Sequence, residues 1–266
     1  MKIPSTRVVV PNLFTLAATF CGISVLWLSM GAESPADFYL ACTLIPLACI
    51  LDGFDGRVAR MLHGETKFGM ELDSLSDAIT FGVAPAFLLY AWALKPYGFA
   101  GLCVTFVFAA AAMLRLARFN VQSEKPNKGN RYFTGLPAPM GGMGIASIIA
   151  LQVAVLDRDI ATDAERPYLA IYALLLAVLM VSEVPFRTFK DFRLTRANRL
   201  LLAAVLASVV IVGLYHGFMV ALAIAHMVYL STGLAGTAVR EGRRLLVAGG
   251  VGNRNQSVVL DDEDDD

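Results

Sequence analysis

Apolar and polar positions in this chain sort into blocks, with long apolar runs separated by short polar links from near the N-terminus almost to residue 240. An apolar run of about twenty residues is long enough to cross the roughly 30 Å hydrocarbon core of a bilayer as an α-helix. Eight such runs are present, at 12–31, 35–62, 69–94, 99–119, 140–156, 168–184, 200–215 and 218–234. Residues 1–10, with Lys2, Arg7 and a valine triplet, read as an interfacial lead-in that ends at Pro11, and Pro46 is expected to kink the second span. Lys95-Pro96-Tyr97-Gly98 reads as a turn, while 122–131, 157–166 and 185–199 read as polar loops. The pattern predicts an all-α, polytopic helical bundle. Residues 1–240 form its integral membrane domain, and 241–266, which close in a run of Asp and Glu, form a disordered, solvating tail.

Composition strengthens this reading. Hydrophobic residues make up 57% of the chain and the mean hydropathy is +0.62, above what a soluble globule carries. The N-terminal run continues without a small-x-small cleavage site and is read as a retained span, not a removable leader. Cys21, Cys42, Cys49 and Cys103 sit in apolar runs without paired-ligand spacing, as small buried apolar residues do. No nucleic-acid partner, repeat or second soluble domain is expected. Net charge is zero, but its placement is lopsided: of 22 Lys and Arg, all but Lys95, Arg158 and Arg166 fall on the side of the two termini. The positive-inside rule then puts both termini in the cytoplasm, in a multi-pass protein of the cell membrane.

One stretch conflicts with the apolar background. Asp52, Asp55, Asp73 and Asp77 lie inside or beside two spans. Each charge at mid-membrane costs roughly 2.5 to 3.5 kcal/mol, so four would cost on the order of ten without compensation. On a helix advancing about 100° per residue, Asp52 and Asp55 lie about 60° apart, with Gly56 and Ala59 within about 40° of Asp52. Gly69, Asp73 and Asp77 form an i, i+4 stripe on the next span. If the two helices meet on those stripes, the four carboxylates share one volume at the cytoplasmic mouth. Hard oxygen ligands without Cys or His suit Mg²⁺ or Mn²⁺, and two such ions would balance the four charges and clamp a phosphate. Gly56 and Ala59 leave room for a polar ligand, and Arg60 can add a charge-assisted hydrogen bond to a phosphate.

The spacing Asp-x2-Asp-Gly-x2-Ala-Arg-x8-Gly-x3-Asp-x3-Asp, from Asp52 to Asp77, resembles the signature of the CDP-alcohol phosphatidyltransferase family at every defining position. The resemblance implies a homodimeric membrane enzyme with a six-helix core that displaces CMP from a CDP-linked lipid by an alcohol. It further implies that Asp52, Asp55, Asp73 and Asp77 hold two metal ions, that Asp77 is also the base, and that Gly56, Ala59, Arg60 and Thr66 contact the CDP part.

Three flanking stretches, Pro11-Asn12-Leu13-Phe14-Thr15, Arg115-Leu116-Ala117-Arg118-Phe119-Asn120 and Phe133-x-Gly135-Leu136-Pro137-x-Pro139, resemble the membrane-embedded branch of the family that uses L-serine and CDP-diacylglycerol. Asn12 and Thr15 are expected at the nucleotide mouth, or as a cap on the first span. Arg115 and Arg118 are expected to meet the acceptor carboxylate or a lipid phosphate, or to anchor the span as interfacial cations. Gly135, Pro137 and Pro139 are expected to shape a loop. Glu183 is expected to pair with Arg187, the alternative being the serine ammonium. Glycerol 3-phosphate or an inositol phosphate as acceptor, and a divalent-ion transporter in place of an enzyme, are the competing readings.

Overall fold

The computed structural model describes residues 6–123, 132–187, 217–231 and 233. Contacts divide the chain into two compact units, Met1–Met227 and Val228–Asp266; the fold and site described below belong to the first. Helices α1 (Thr6–Met30), α2 (Pro35–Leu62) and α3 (Lys67–Tyr97) are followed by α4 (Phe99–Ser123), α5 (Ala138–Ala154), α6 (Arg166–Val181) and α7 (Phe218–Ser231). α1, α2, α3 and the Phe99–Gln122 part of α4 are long and apolar enough to cross a membrane, while α5, α6 and α7 are shorter apolar helices. This is an all-α membrane protein. The run at 200–215 and the tail at 241–266 lie outside the described residues.

Local chemistry accounts for the helix ends. Ser34 precedes α2 with Pro35 at its first position, and the Asp37 carboxylate reaches back to accept from the Ser34 N–H at 2.9 Å and from its Oγ at 2.8 Å. α2 runs through Pro46 and stops at His63, which takes a left-handed conformation with φ 50° while the Gly64 N–H donates back to the Ala59 carbonyl. Thr66 caps α3, its Oγ1 accepting from the Gly69 N–H at 3.0 Å. The 95–98 turn forms as expected, with Gly98 at φ 55°.

α1 departs from the expected lead-in, because it begins at Thr6 and continues through Pro11. Proline has no N–H to donate and crowds the carbonyl four residues back, here that of Arg7. Gly64 lies against that carbonyl so closely that a Cβ would sit 2.0 Å from it. The two irregularities therefore meet, and the end of α2 packs directly on the start of α1.

α5 is apolar on all sides and mostly buried, which makes it the core element against which α2 and α3 pack. The Trp92 indole lies fully buried on α3, donating to Gln152 Oε1 on α5 at 2.6 Å and meeting Phe38 edge-on with centroids 4.9 Å apart. The outer face of α1 carries exposed Leu13, Leu16, Phe20, Ile23 and Trp27, a stripe suited to lipid. Of the cysteines, all free, Cys21 and Cys42 are buried and Cys49 is half-buried; Cys103 corrects the expectation by facing outward from α4.

Two three-residue strands also form, β1 (Tyr132–Thr134) and β2 (Pro185–Arg187), paired antiparallel with Thr134 opposite Pro185. Between β1 and α5, Gly135 takes φ 83° and donates to the Val184 carbonyl, and Leu136 donates to the Leu179 carbonyl. The expected loop of Gly135, Pro137 and Pro139 therefore joins the start of α5 to the end of α6. Gly135 suits its position because the left-handed region is strained for residues with a Cβ.

Candidate active site

The four aspartates gather where α1, α2 and α3 come together. α2 and α3 each pack against α1 far more than against each other. The expectation that their stripes meet face to face is thus only partly met: the carboxylates converge, but across a gap that α1 spans. Ligand oxygens of Asp52, Asp55 and Asp73 all lie within 4.8 Å of one another. Asp77 lies beyond this trio and meets the Asp52 side chain, with Arg115 of α4 a nearby positive charge.

The gap opens into a cavity of about 480 Å³. Its wall carries Asp55 and Asp73 together with Asn12, Thr15, Gly56, Ala59, Arg60 and Thr66, the residues expected to contact the CDP part. Gly64, Glu65, Lys67 and Met70 from the α2–α3 link form part of the same wall. A Cβ built at Gly56 meets nothing within 4 Å, so the absent side chain leaves open space facing the cavity. Arg60 is exposed at the last turn of α2, on the wall of the same cavity.

Asp55 is buried at 7% exposure, and its Oδ2 accepts from Thr15 Oγ1 at 2.7 Å. Thr15 is therefore a partner of a carboxylate as well as part of the cavity wall. Around it runs a set of hydroxyl contacts that the sequence reading missed. Ser76 Oγ donates to the Thr15 carbonyl at 3.1 Å, and Thr19 Oγ1 donates to Ser76 Oγ at 2.7 Å. Asn120 Nδ2 donates to Ser74 Oγ at 3.0 Å, beside Asp73. The available signal was the recurrence of Ser and Thr on faces adjoining the aspartates, because small hydroxyl residues inside a span bond either to their own helix or to a neighbour.

The two arginines of α4 part ways. Arg115 lies toward Asp77 and 5.9 Å from the Phe119 ring centre. Arg118 turns to the end of α6, donating to the Val181 carbonyl at 3.2 Å and to Glu183 Oε1 at 3.4 Å. Glu183 thus meets Arg118, where Arg187 was expected; the Arg187 side chain lies outside the described residues.

The donor set fits a divalent cation on two observations. Three carboxylates approach closely in a partly buried site, and Asp73 Oδ1 is buried without a hydrogen-bond partner among the described residues. A buried carboxylate oxygen left in that state is costly, and a hard cation satisfies it while offsetting the repulsion between the acids.

Comparison with known proteins identifies the family. Residues 8–184, well over half of the chain, match the sequence model described as CDP-alcohol phosphatidyltransferase. A CDP-diacylglycerol–serine O-phosphatidyltransferase of Helicobacter pylori is 36% identical over 187 residues, covering 69% of this chain and 73% of that one. A protein of the same name from Bacillus subtilis is 33% identical over 182 residues, covering 68% and 91%. An archaetidylserine synthase of Methanothermobacter thermautotrophicus is 37% identical over 145 residues, covering 53% and 57%. The matched region contains the Asp-bearing helices, the cavity and α4, and on this evidence the chain belongs to the CDP-alcohol phosphatidyltransferase family.

Proposed function

We propose that this protein transfers the phosphatidyl group of CDP-diacylglycerol to the hydroxyl of L-serine, giving phosphatidylserine and CMP. The observation that carries the reading is the convergence of Asp52, Asp55 and Asp73 beside a cavity whose wall includes Gly56, Ala59 and Arg60. The names of the bacterial and archaeal relatives support serine as acceptor, since they differ in the lipid but share serine.

In this reading Gly56 and Ala59 let the cytidine diphosphate lie against α2, with Asn12 and Thr66 at the cavity edge. Arg60 donates charge-assisted hydrogen bonds to the diphosphate. Asp52, Asp55, Asp73 and Asp77 would hold Mg²⁺ or Mn²⁺, two ions, which when bound supply charge neutralisation at the diphosphate. Asp77, beside Asp52, takes the proton of the serine hydroxyl as its oxygen forms a bond to the phosphorus bearing diacylglycerol. The bond from that phosphorus to the bridging oxygen breaks, and CMP leaves with that oxygen. Arg115, near Asp77, faces the serine carboxylate.

The uneven placement of Lys and Arg supports an active site and termini facing the cytoplasm, in the cell membrane, with residues 1–240 as the catalytic membrane domain, eight spans in all and 241–266 as a cytoplasmic tail. The family resemblance supports a homodimer.

The test is an acceptor panel. Purified protein supplied with CDP-diacylglycerol, Mg²⁺ or Mn²⁺ and labelled serine, glycerol 3-phosphate or inositol phosphate is expected to label lipid from serine alone. Turnover with either of the others but not with serine would refute the acceptor assignment. Ion flux in liposomes without CDP-lipid would favour a transporter.

A further inference from the structure

Two helices carry the acidic residues, yet they make little contact with each other, so something else must set the distance between their carboxylates. Thr15 on α1 touches both. Its hydroxyl donates to Asp55 Oδ2 on α2 at 2.7 Å, and its backbone carbonyl accepts from Ser76 Oγ on α3 at 3.1 Å. Ser76 is 4% exposed and lies three residues after Asp73 and one before Asp77. Thr19, one turn along α1, has its hydroxyl 2.7 Å from Ser76 Oγ and 2.9 Å from the Thr15 carbonyl, and its single proton is shared between these two acceptors, the nearer being Ser76.

The proton count favours this assignment. Thr15 Oγ1 has a single proton and two acceptors in view: the Pro11 carbonyl at 3.4 Å, and Asp55 Oδ2 at the much shorter 2.7 Å. A carboxylate is also the stronger acceptor. Thr15 is β-branched and 3% exposed, so its hydroxyl has little freedom to turn away. A carboxylate that accepts such a bond on one oxygen cannot rotate freely, and its second oxygen is held in a fixed direction. Partners of this kind usually tune a metal site without touching the metal.

We propose that Thr15 is a positioning residue for the acidic cluster, orienting Asp55 through its side chain and tying α3 to α1 through its backbone. The proposal rests on the reading of the aspartates as metal ligands. It gives Thr15 a role distinct from contact with the CDP part, and assigns Ser76 and Thr19 as the clasp that holds Asp73 and Asp77 in register with Asp55.

The experiment is direct Mn²⁺ binding to the full chain in detergent, read by the electron paramagnetic resonance signal of free Mn²⁺ with no lipid or serine present. Thr15→Val is expected to weaken Mn²⁺ binding by about 10- to 100-fold, the range typical for loss of such a partner, while Thr15→Ser restores it. Ser76→Ala removes the clasp without touching the Asp55 bond; it too is expected to weaken Mn²⁺ binding, and it carries the test where Thr15→Val yields no monodisperse protein. The Mn²⁺ concentration that half-saturates turnover is expected to rise in Thr15→Val in step with the lost affinity, and to return in Thr15→Ser. Unchanged Mn²⁺ affinity in the variants, above all with a raised Michaelis constant for CDP-lipid, would overturn the proposal and make Thr15 a substrate contact. Absence of Mn²⁺ binding by the unmodified protein would instead overturn the metal-site reading beneath it, an outcome distinct from equal binding by protein and variants.

Discussion

Arg118 closes on Glu183, with Nη2 3.4 Å from Oε1, and so ties α4 to the end of α6, while Arg115 one turn earlier lies toward Asp77. The i, i+3 spacing places the two arginines on neighbouring parts of one face, and tertiary contacts give them different work. Arg115→Gln is therefore expected to raise the Michaelis constant for serine and lower turnover strongly, because it removes a cation close to the proposed base. Arg118→Gln is expected to leave the serine constant nearly unchanged. Glu183 is 88% exposed, and Glu183→Gln should cost well under about 1 kcal/mol of stability, as exposed ion pairs do. Saturation curves for serine on the three variants check this; a larger defect in Arg118→Gln than in Arg115→Gln would reverse the assignment.

Asp77 meets the Asp52 side chain without being one of the three carboxylates, Asp52, Asp55 and Asp73, whose ligand oxygens all lie within 4.8 Å of one another. If it is the base, Asp77→Asn should lower turnover by roughly 10²- to 10⁴-fold, the range a positioned general base contributes. The same variant should retain more Mn²⁺ affinity than Asp52→Asn, which removes a member of the trio. Full activity in either variant would sink the mechanism, and parallel losses of metal affinity would make Asp77 a ligand first.

Two glycines near the site separate packing from ligand contact. A Cβ at Gly64 would lie 2.0 Å from the Arg7 carbonyl oxygen, so Gly64→Ala must push α1 and the α2–α3 link apart. The expected loss is about 1 to 3 kcal/mol of stability, seen as a lowered melting temperature in detergent. A Cβ at Gly56 meets no protein atom within 4 Å, although the residue lines the cavity. Gly56→Ala should thus melt like the unmodified protein while binding CDP-diacylglycerol more weakly. Normal CDP-lipid affinity in Gly56→Ala would remove this residue from the proposed nucleotide wall.

The four long apolar helices were legible because apolar run length is a direct measure of bilayer crossing, and the aspartates were legible because charge in such runs is costly. What the spacing left open was how the helices sit together. Thr15 and Asp55 are forty positions apart, and nothing local to either residue announces their bond. Periodicity also gave no warning that α3 loosens into π-helical turns at Ala78–Val83, directly after Asp77, and again at Tyr90–Leu94, since a uniformly apolar run has no phase to break. Such turns recur at functional sites. Pro11 misled because proline more often ends a helix than sits within one. Here the carbonyl it frees lies against Gly64 of the α2–α3 link, a contact that becomes visible only in three dimensions.

A second polar cluster joins α5, α6 and α7. His226 of α7 is 4% exposed, and neither of its ring nitrogens, nor the Tyr172 hydroxyl of α6, has a hydrogen-bond partner among the described residues. Both side chains fill the notch left by Gly144 on α5: a Cβ there would lie 2.6 Å from His226 Nε2 and 3.0 Å from the Tyr172 hydroxyl. Gly144→Ala should therefore displace the imidazole and lower the melting temperature, with an overpacking cost of about 1 to 3 kcal/mol. Tyr172→Phe removes a buried hydroxyl that has no hydrogen-bond partner among the described residues. Its loss should be neutral or stabilising, because a buried polar group without a partner costs about 1 to 3 kcal/mol. Thermal unfolding of the two variants in the same detergent distinguishes the cases. A clear destabilisation by Tyr172→Phe would mean that the hydroxyl is bonded in the folded protein, either to His226 in the same notch or to a polar group beyond the two side chains that fill it.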